Sequence, residues 1–266
     1  MPYAVNEGAK IYWEERGSGE PLLLIMGLGY TLDMWHRTAP VLAEHYRVIV
    51  FDNRGVGRSD VPVGPYPIST MARDAAAVMD AAGIDAAHVF GVSMGGMIAQ
   101  EFALQYPTRV RSLILGCTTC GGSNAVAAEP EVIQGLLARA SMTVEEAINV
   151  MARYVYDEAT PRERLEEDFA IRRRTYPSTE AYLAQLQGVL GWESFGRLSE
   201  IGAPTLVIHG ESDKLIPPGN GELLAKGIRG ARLVMLPEAS HIFTTDRPEE
   251  SNQAVLSFLA SNRMEV

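Results

Sequence analysis

The chain has 266 residues, with 23 Lys and Arg against 33 Asp and Glu, a formal net charge of −10. Apolar residues make up 47% and charged residues 21%, a mixture that supports a packed core and excludes a disordered or collagen-like chain. The acidic balance argues against nucleic acid or an anionic membrane as main partner, and the length suggests one large domain or two small ones.

The N-terminal stretch MPYAVNEGAK has neither the basic nor the apolar region of a signal peptide. No apolar run approaches the ~20 residues of a membrane span. A soluble, cytoplasmic protein is expected. Tyr3–Val5 and Lys10–Glu15 read as a hairpin around Asn6-Glu7-Gly8. Apolar runs then recur at Leu22–Met26, Arg47–Phe51, His88–Val92, Val110–Leu115, Thr205–Ile208 and Arg232–Leu236. Most are Val, Ile and Leu at successive rather than alternate positions, which predicts strands buried on both faces. Helical spacing lies between them, at Ser69–Ala82, Met97–Tyr106, Pro217–Ile228 and Pro248–Leu259. The fold class expected is α/β, a mostly parallel central sheet flanked by helices.

The alternation breaks between Gly121 and Phe195, where helix starts replace strand runs. Thr143-x-x-Glu146 and Thr160-Pro161-x-Glu163 fit the capping box, and Val144, Ile148, Met151 and Val155 mark one apolar stripe. An all-helical insertion of three or four helices over 121–195 is predicted, with 1–120 and 196–266 forming the core domain. Gly116–Ala128 reads as the hinge between them.

The strongest chemical signal is Gly91-Val92-Ser93-Met94-Gly95-Gly96, after a strand run and before a helix. Such a turn pushes the Ser hydroxyl out of the sheet, and its tight backbone requires small residues two before and two after. The following helix aims free N–H groups at the same place. A Ser hydroxyl needs a base. Of His36, His45, His88, His209 and His241, only His241 lies cleanly beyond a strand's carboxyl end, where ligands meet parallel sheets. His88 and His209 fall in strand runs and read as structural. Asp213 and Glu211 both follow the run at Thr205–Ile208; Asp213 is favoured because it sits deeper in the turn before Pro217-Pro218. The oxyanion donors expected are the backbone N–H groups of Met94 and of Leu28, in Met26-Gly27-Leu28-Gly29-Tyr30.

These residues, with the turn Asp52-Asn53-Arg54-Gly55-Val56-Gly57-Arg58-Ser59, resemble the α/β-hydrolase superfamily, in its small esterase and lactonase branch. The resemblance spans nearly the whole chain. It implies a Ser93, Asp213, His241 triad in that order, a cap made by the helical insertion, and a carboxylic ester hydrolase with no cofactor and no metal. The partner implied is a small ester or lactone, with enol-lactone or carbon–carbon bond hydrolysis by the same triad as the alternative reaction. One departure is Met26-Gly27, where many relatives have His-Gly. Trp192, near the end of the cap, is a candidate for lining the pocket. Arg162, Arg164, Arg172, Arg173 and Arg174 are candidates for a substrate carboxylate, against the commoner reading of a solvated face.

A dinucleotide-binding oxidoreductase is the misleading alternative, since Gly27-x-Gly29 follows a strand and Asp52 ends the next. Leu32 occupies the third glycine position, which argues against it. A ligand receptor on the same scaffold is the other rival, to be separated by turnover. Cys117-x-x-Cys120 has no second cluster to complete a zinc site and reads as a pair of reduced thiols.

Overall fold

A computed structural model of the chain describes residues 2–263. The strands are β1 (Tyr3–Asn6), β2 (Ala9–Arg16), β3 (Pro21–Ile25), β4 (Arg47–Phe51), β5 (Ala87–Val92), β6 (Val110–Gly116), β7 (Thr205–Gly210) and β8 (Arg232–Leu236). β1 and β2 form the expected hairpin. Its turn residues Glu7 and Gly8 both have positive φ, 51° and 80°, the mirror-image turn whose twist matches the flanking strands. β2 pairs antiparallel with β4, and every later pairing is parallel, in the order β1-β2-β4-β3-β5-β6-β7-β8.

The main helices before the insertion are α1 (Ala39–Leu42), α2 (Ile68–Ala81) and α3 (Met94–Gln105). The insertion holds α4 (Pro130–Ala138), α5 (Val144–Val155), α6 (Arg162–Thr175) and α7 (Thr179–Leu190), and α8 (Gly219–Gly227), α9 (Phe243–Asp246) and α10 (Pro248–Ala260) follow it. The successive apolar residues of the strands divide between two layers. Leu23 and Ile25 pack with Met71 of α2 and Phe102 of α3, whereas Leu22 and Leu24 pack with Leu42 of α1 and Phe258 of α10. Each such Leu, fully removed from water, stabilises by roughly 1.5–3 kcal/mol. Among the described residues no helix is long and apolar enough to cross a membrane.

The segment between β6 and β7 is helical, as its spacing predicts, and its two ends run side by side through an antiparallel bridge between Gly121 and Glu193. The first capping box forms: Thr143 Oγ1 accepts from Glu146 N at 3.3 Å, and Glu146 Oε2 accepts from Thr143 N at 2.8 Å. The second does not. Pro161 is the N-cap of α6, and the Thr160 hydroxyl donates to Asp246 Oδ1 at 2.6 Å, a long-range partner that outcompetes the local one. Val144 also departs from its stripe, at 37% exposed, because it sits in the first turn beyond the packed face of Ile148, Met151 and Val155. α3 begins at Met94, immediately after Ser93, rather than at Met97.

Candidate active site

Ser93 stands where β5 becomes α3. Its φ of +56° and ψ of −124° are strained for a residue with a side chain, and the surroundings hold it there. Its N–H donates to Gly116 O at 2.9 Å, and its carbonyl accepts from Thr118 Oγ1 at 2.7 Å. The flanking glycines are required by contact. A Cβ on Gly91 would lie 2.1 Å from Gly95 O, and one on Gly95 would lie 2.1 Å from Ile25 O.

Asp213 lies three residues beyond β7 and His241 five beyond β8, at the same sheet edge. His241 Nδ1 is 2.8 Å from Asp213 Oδ2. Burial alone would raise the Asp213 carboxyl, but the neighbouring His241 and His209 bring it down to about 2. An ionised carboxylate only accepts, so Nδ1 of His241 carries a proton and Nε2 is the nitrogen left to face the cavity side. The other Asp213 oxygen accepts from the N–H groups of Leu215 and Ile216, each at 2.9 Å. Glu211, the alternative, is exposed.

The His241 loop is wedged in place. Gly210 abuts it so closely that a Cβ there would lie 2.3 Å from Ser240 O, and Ile242 N donates to Val155 O of α5 at 2.8 Å. Ser93 and His241 both line one cavity of about 210 Å³, together with Leu28 and Met94. Its other walls are mostly apolar, including Met34 and Met97 from the core and Leu136 and Val155 from the helical segment. Among the described residues, the backbone N–H groups of Leu28 and Met94 have no protein acceptor, so both are free to bind a ligand oxygen.

The Leu28 loop is pinned from both sides, a feature absent from local sequence signals. Asn53 Nδ2 donates to Met26 O at 2.9 Å, which supplies one hold on the loop. The buried Gln185 of α7 accepts from Gly29 N at 2.8 Å, and Arg172 of α6 donates to Gly29 O. Asp52, which mimicked a nucleotide-binding acid, instead accepts from Leu32 N at 2.8 Å and Arg58 N at 2.9 Å, tying two loops together.

Several sequence candidates lie elsewhere. Trp192 does not line the cavity: its indole packs in the core and donates to Glu101 Oε2 at 2.9 Å, because the bridge at Gly121 and Glu193 turns it toward α3. None of the five cap arginines reaches the cavity. Arg162, Arg164 and Arg173 meet Glu166, Glu249 and Glu145, Arg174 is exposed, and Arg172 is committed to Gly29. The arginine that does line it is Arg139, which no motif marked.

His88 is buried in β5, with Nδ1 2.7 Å from Ser112 Oγ. His209 touches the site, with Nε2 2.8 Å from Ile216 O and 3.4 Å from Asp213 Oδ2. Cys117 and Cys120 are free and buried. Cys117, His209 and Asp213 are close enough to suggest a metal, with ligand atoms within 4.8 Å of one another. The donors do not suit one. Cys117 Sγ donates to Ser240 O and accepts from Gly210 N, and His209 Nε2 and Asp213 also already have partners.

A parallel sheet with Ser, Asp and His beyond β5, β7 and β8 is the architecture of an α/β hydrolase. The chain belongs to the alpha/beta hydrolase fold family, whose family model matches residues 20–248. It is 34% identical over 261 residues to RutD of Azorhizobium caulinodans, a protein named for carbamate hydrolysis, covering 97% of this chain and 98% of that one. Among solved structures it is similar to Est816, described as an N-acyl homoserine lactone degrading enzyme, with TM-score 0.84 and 32% identity over 97% of this chain and 100% of the other. It is also similar to the enol-lactonase of Burkholderia xenovorans LB400, with TM-score 0.87 and 27% identity over 97% and 100% of the two chains. Fold and relatives together support a hydrolase.

Proposed function

We propose that the protein is a serine hydrolase of small carboxylic esters, with Ser93 as nucleophile, His241 as base and Asp213 orienting the imidazole. The observation that carries this reading is the 2.8 Å His241–Asp213 pair beside a cavity that the strained Ser93 also lines. Ser93 Oγ attacks the ester carbonyl carbon while His241 Nε2 takes its proton. The tetrahedral oxyanion is held by the N–H groups of Leu28 and Met94, each such donor contributing on the order of 10²–10³ in rate. Collapse expels the alcohol, protonated by His241. Water, deprotonated by the same nitrogen, then attacks the acyl-enzyme and releases the acid and Ser93. The helical segment acts as a cap that closes the cavity and limits substrate size. At about 210 Å³ the space is below the ~300–1,000 Å³ of drug-sized sites, which selects small acyl groups.

A lactone is a cyclic ester and uses the same steps. The likeness to an enol-lactonase and to a lactone-degrading enzyme favours lactones as a second substrate class. The first test is Ser93→Ala assayed on p-nitrophenyl acetate and butyrate. Turnover is expected to fall by about 10³-fold or more with the far-UV circular dichroism unchanged. Retention of roughly a tenth of wild-type turnover would overturn the mechanism. A receptor on this scaffold would give a single burst of product and then stop.

A further inference from the structure

Arg139 follows α4 on a short turn and is 7% exposed, yet it lines the cavity that holds Ser93 and His241. Among the described residues no carboxylate lies within ion-pairing distance of it, 4.0 Å. Its Nε donates to Tyr176 OH at 3.3 Å, and its guanidinium lies 4.6 Å from the Tyr182 ring centre and 5.7 Å from that of Tyr176. Among the described residues its partners are the tyrosines Tyr176 and Tyr182, and none is an acid. The buried Arg54, by contrast, is met by Asp74 through two bonds of 2.6 Å. A second buried cation, Arg172, stacks 3.8 Å from the Tyr30 ring centre and 4.8 Å from that of Tyr176, also without an acid. Its near neighbour Asp168 is turned instead to Arg37, Tyr156 and Thr245.

Two buried guanidinium groups thus share one tyrosine and no counter-ion, in a chain whose net charge is −10. A buried cation without an anion is costly. A bound anion would meet the Arg139 guanidinium, which no carboxylate neutralises, in a low-dielectric setting where charge-assisted bonds are strong. The placement relative to Ser93 is bounded. A Cβ on Gly29 would lie 3.6 Å from Arg139 Nη2, and one on Gly27 would lie 3.0 Å from Ser93 Cβ. Two residues of backbone span at most about 7 Å.

We propose that Arg139 forms an anion subsite in the cavity that Ser93 lines, so that the preferred substrates are esters or lactones that also carry a carboxylate. The inference rests on the serine hydrolase reading above, and its test separates the two. Wild type and Arg139→Gln are compared on monoethyl adipate and on the uncharged ethyl hexanoate, following acid release. The ratio of kcat/KM for the anionic over the neutral ester is expected to fall by about 10- to 100-fold in R139Q, mainly through KM. Arg139→Lys should recover part of that ratio. Should R139Q fail to fold, wild type alone decides: adipate should inhibit ethyl hexanoate hydrolysis at least about tenfold more tightly than 1,6-hexanediol. An unchanged ratio, or adipate no better than the diol, overturns the subsite while leaving the hydrolase reading intact. Absence of Ser93-dependent turnover of either ester, with adipate still raising Tm in wild type more than in R139K, would overturn the hydrolase reading and keep the subsite.

Discussion

His88 is fully buried in β5 with Nδ1 2.7 Å from Ser112 Oγ, and burial pushes its imidazole down to about 4. In the unfolded chain it titrates near ~6.5. The folded protein therefore holds it neutral where the unfolded chain is charged. Its contribution to stability is complete above pH ~6.5 and is lost as pH falls toward 4. Asp246 runs the other way: burial raises its carboxyl to about 6, so its contribution is present at low pH and lost as pH rises through that value. The two oppose each other in one window, and a variant isolates the histidine. Between pH 7.5 and 4.5 the wild type should lose about 2–3 kcal/mol more than His88→Asn in urea unfolding. Equal losses would count against a neutral His88. That histidine was legible as structural because it sits inside a strand run. The contact of His209 with Asp213 was not, since it depends on how residues 211–216 fold back over the end of β7.

The strand-to-helix turn of β5 and α3 depends on backbone packing that no side chain can relieve. Gly95 is pressed against the carbonyl oxygen of Ile25, the last residue of β3, so Gly95→Ala must move the end of β3 or the start of α3. Destabilisation of about 3 kcal/mol or more is expected, with loss of activity, measured by urea midpoint. Gly202→Ala is the contrast, because a Cβ there meets nothing within 4 Å, and it should leave stability unchanged to within about 0.5 kcal/mol. Comparable costs for the two variants would refute the packing account. The strands and this turn were readable because their constraints are local: apolar runs fill both faces, and the glycine spacing follows from the turn. The true start of α3 was not, because Met94-Gly95-Gly96 has poor helix propensity and is held helical by its fit against β3 and Thr118. Thr160 misled for the same reason, its capping hydroxyl being taken by Asp246 from another part of the chain.

The helical segment supplies one wall of the cavity, through Leu136, Met151, Val155 and Val189, and it is tied to the sheet edge by buried charge. Asp168 of α6 is fully buried and accepts from Arg37, from Tyr156 OH at 3.0 Å and from Thr245 Oγ1 at 2.7 Å, joining the segment to residues before β4 and to α9. Sequence periodicity located the helices but not this joint, whose partners lie 131 and 77 residues away. Removing one member of a buried pair leaves the other charge uncompensated, typically at 3–5 kcal/mol. Glu167 still faces Arg37, so Asp168→Ala should fall near the lower end, about 3 kcal/mol. The loss should be local. Amide exchange should quicken in α5 and α6 while β3, β5 and β7 remain protected. Because Ile242 N is bonded to Val155 O, a loosened α5 also releases the loop that carries His241, and kcat should fall with it. Uniform quickening of exchange across sheet and helices, or none, would mean that Asp168 does not join the two parts.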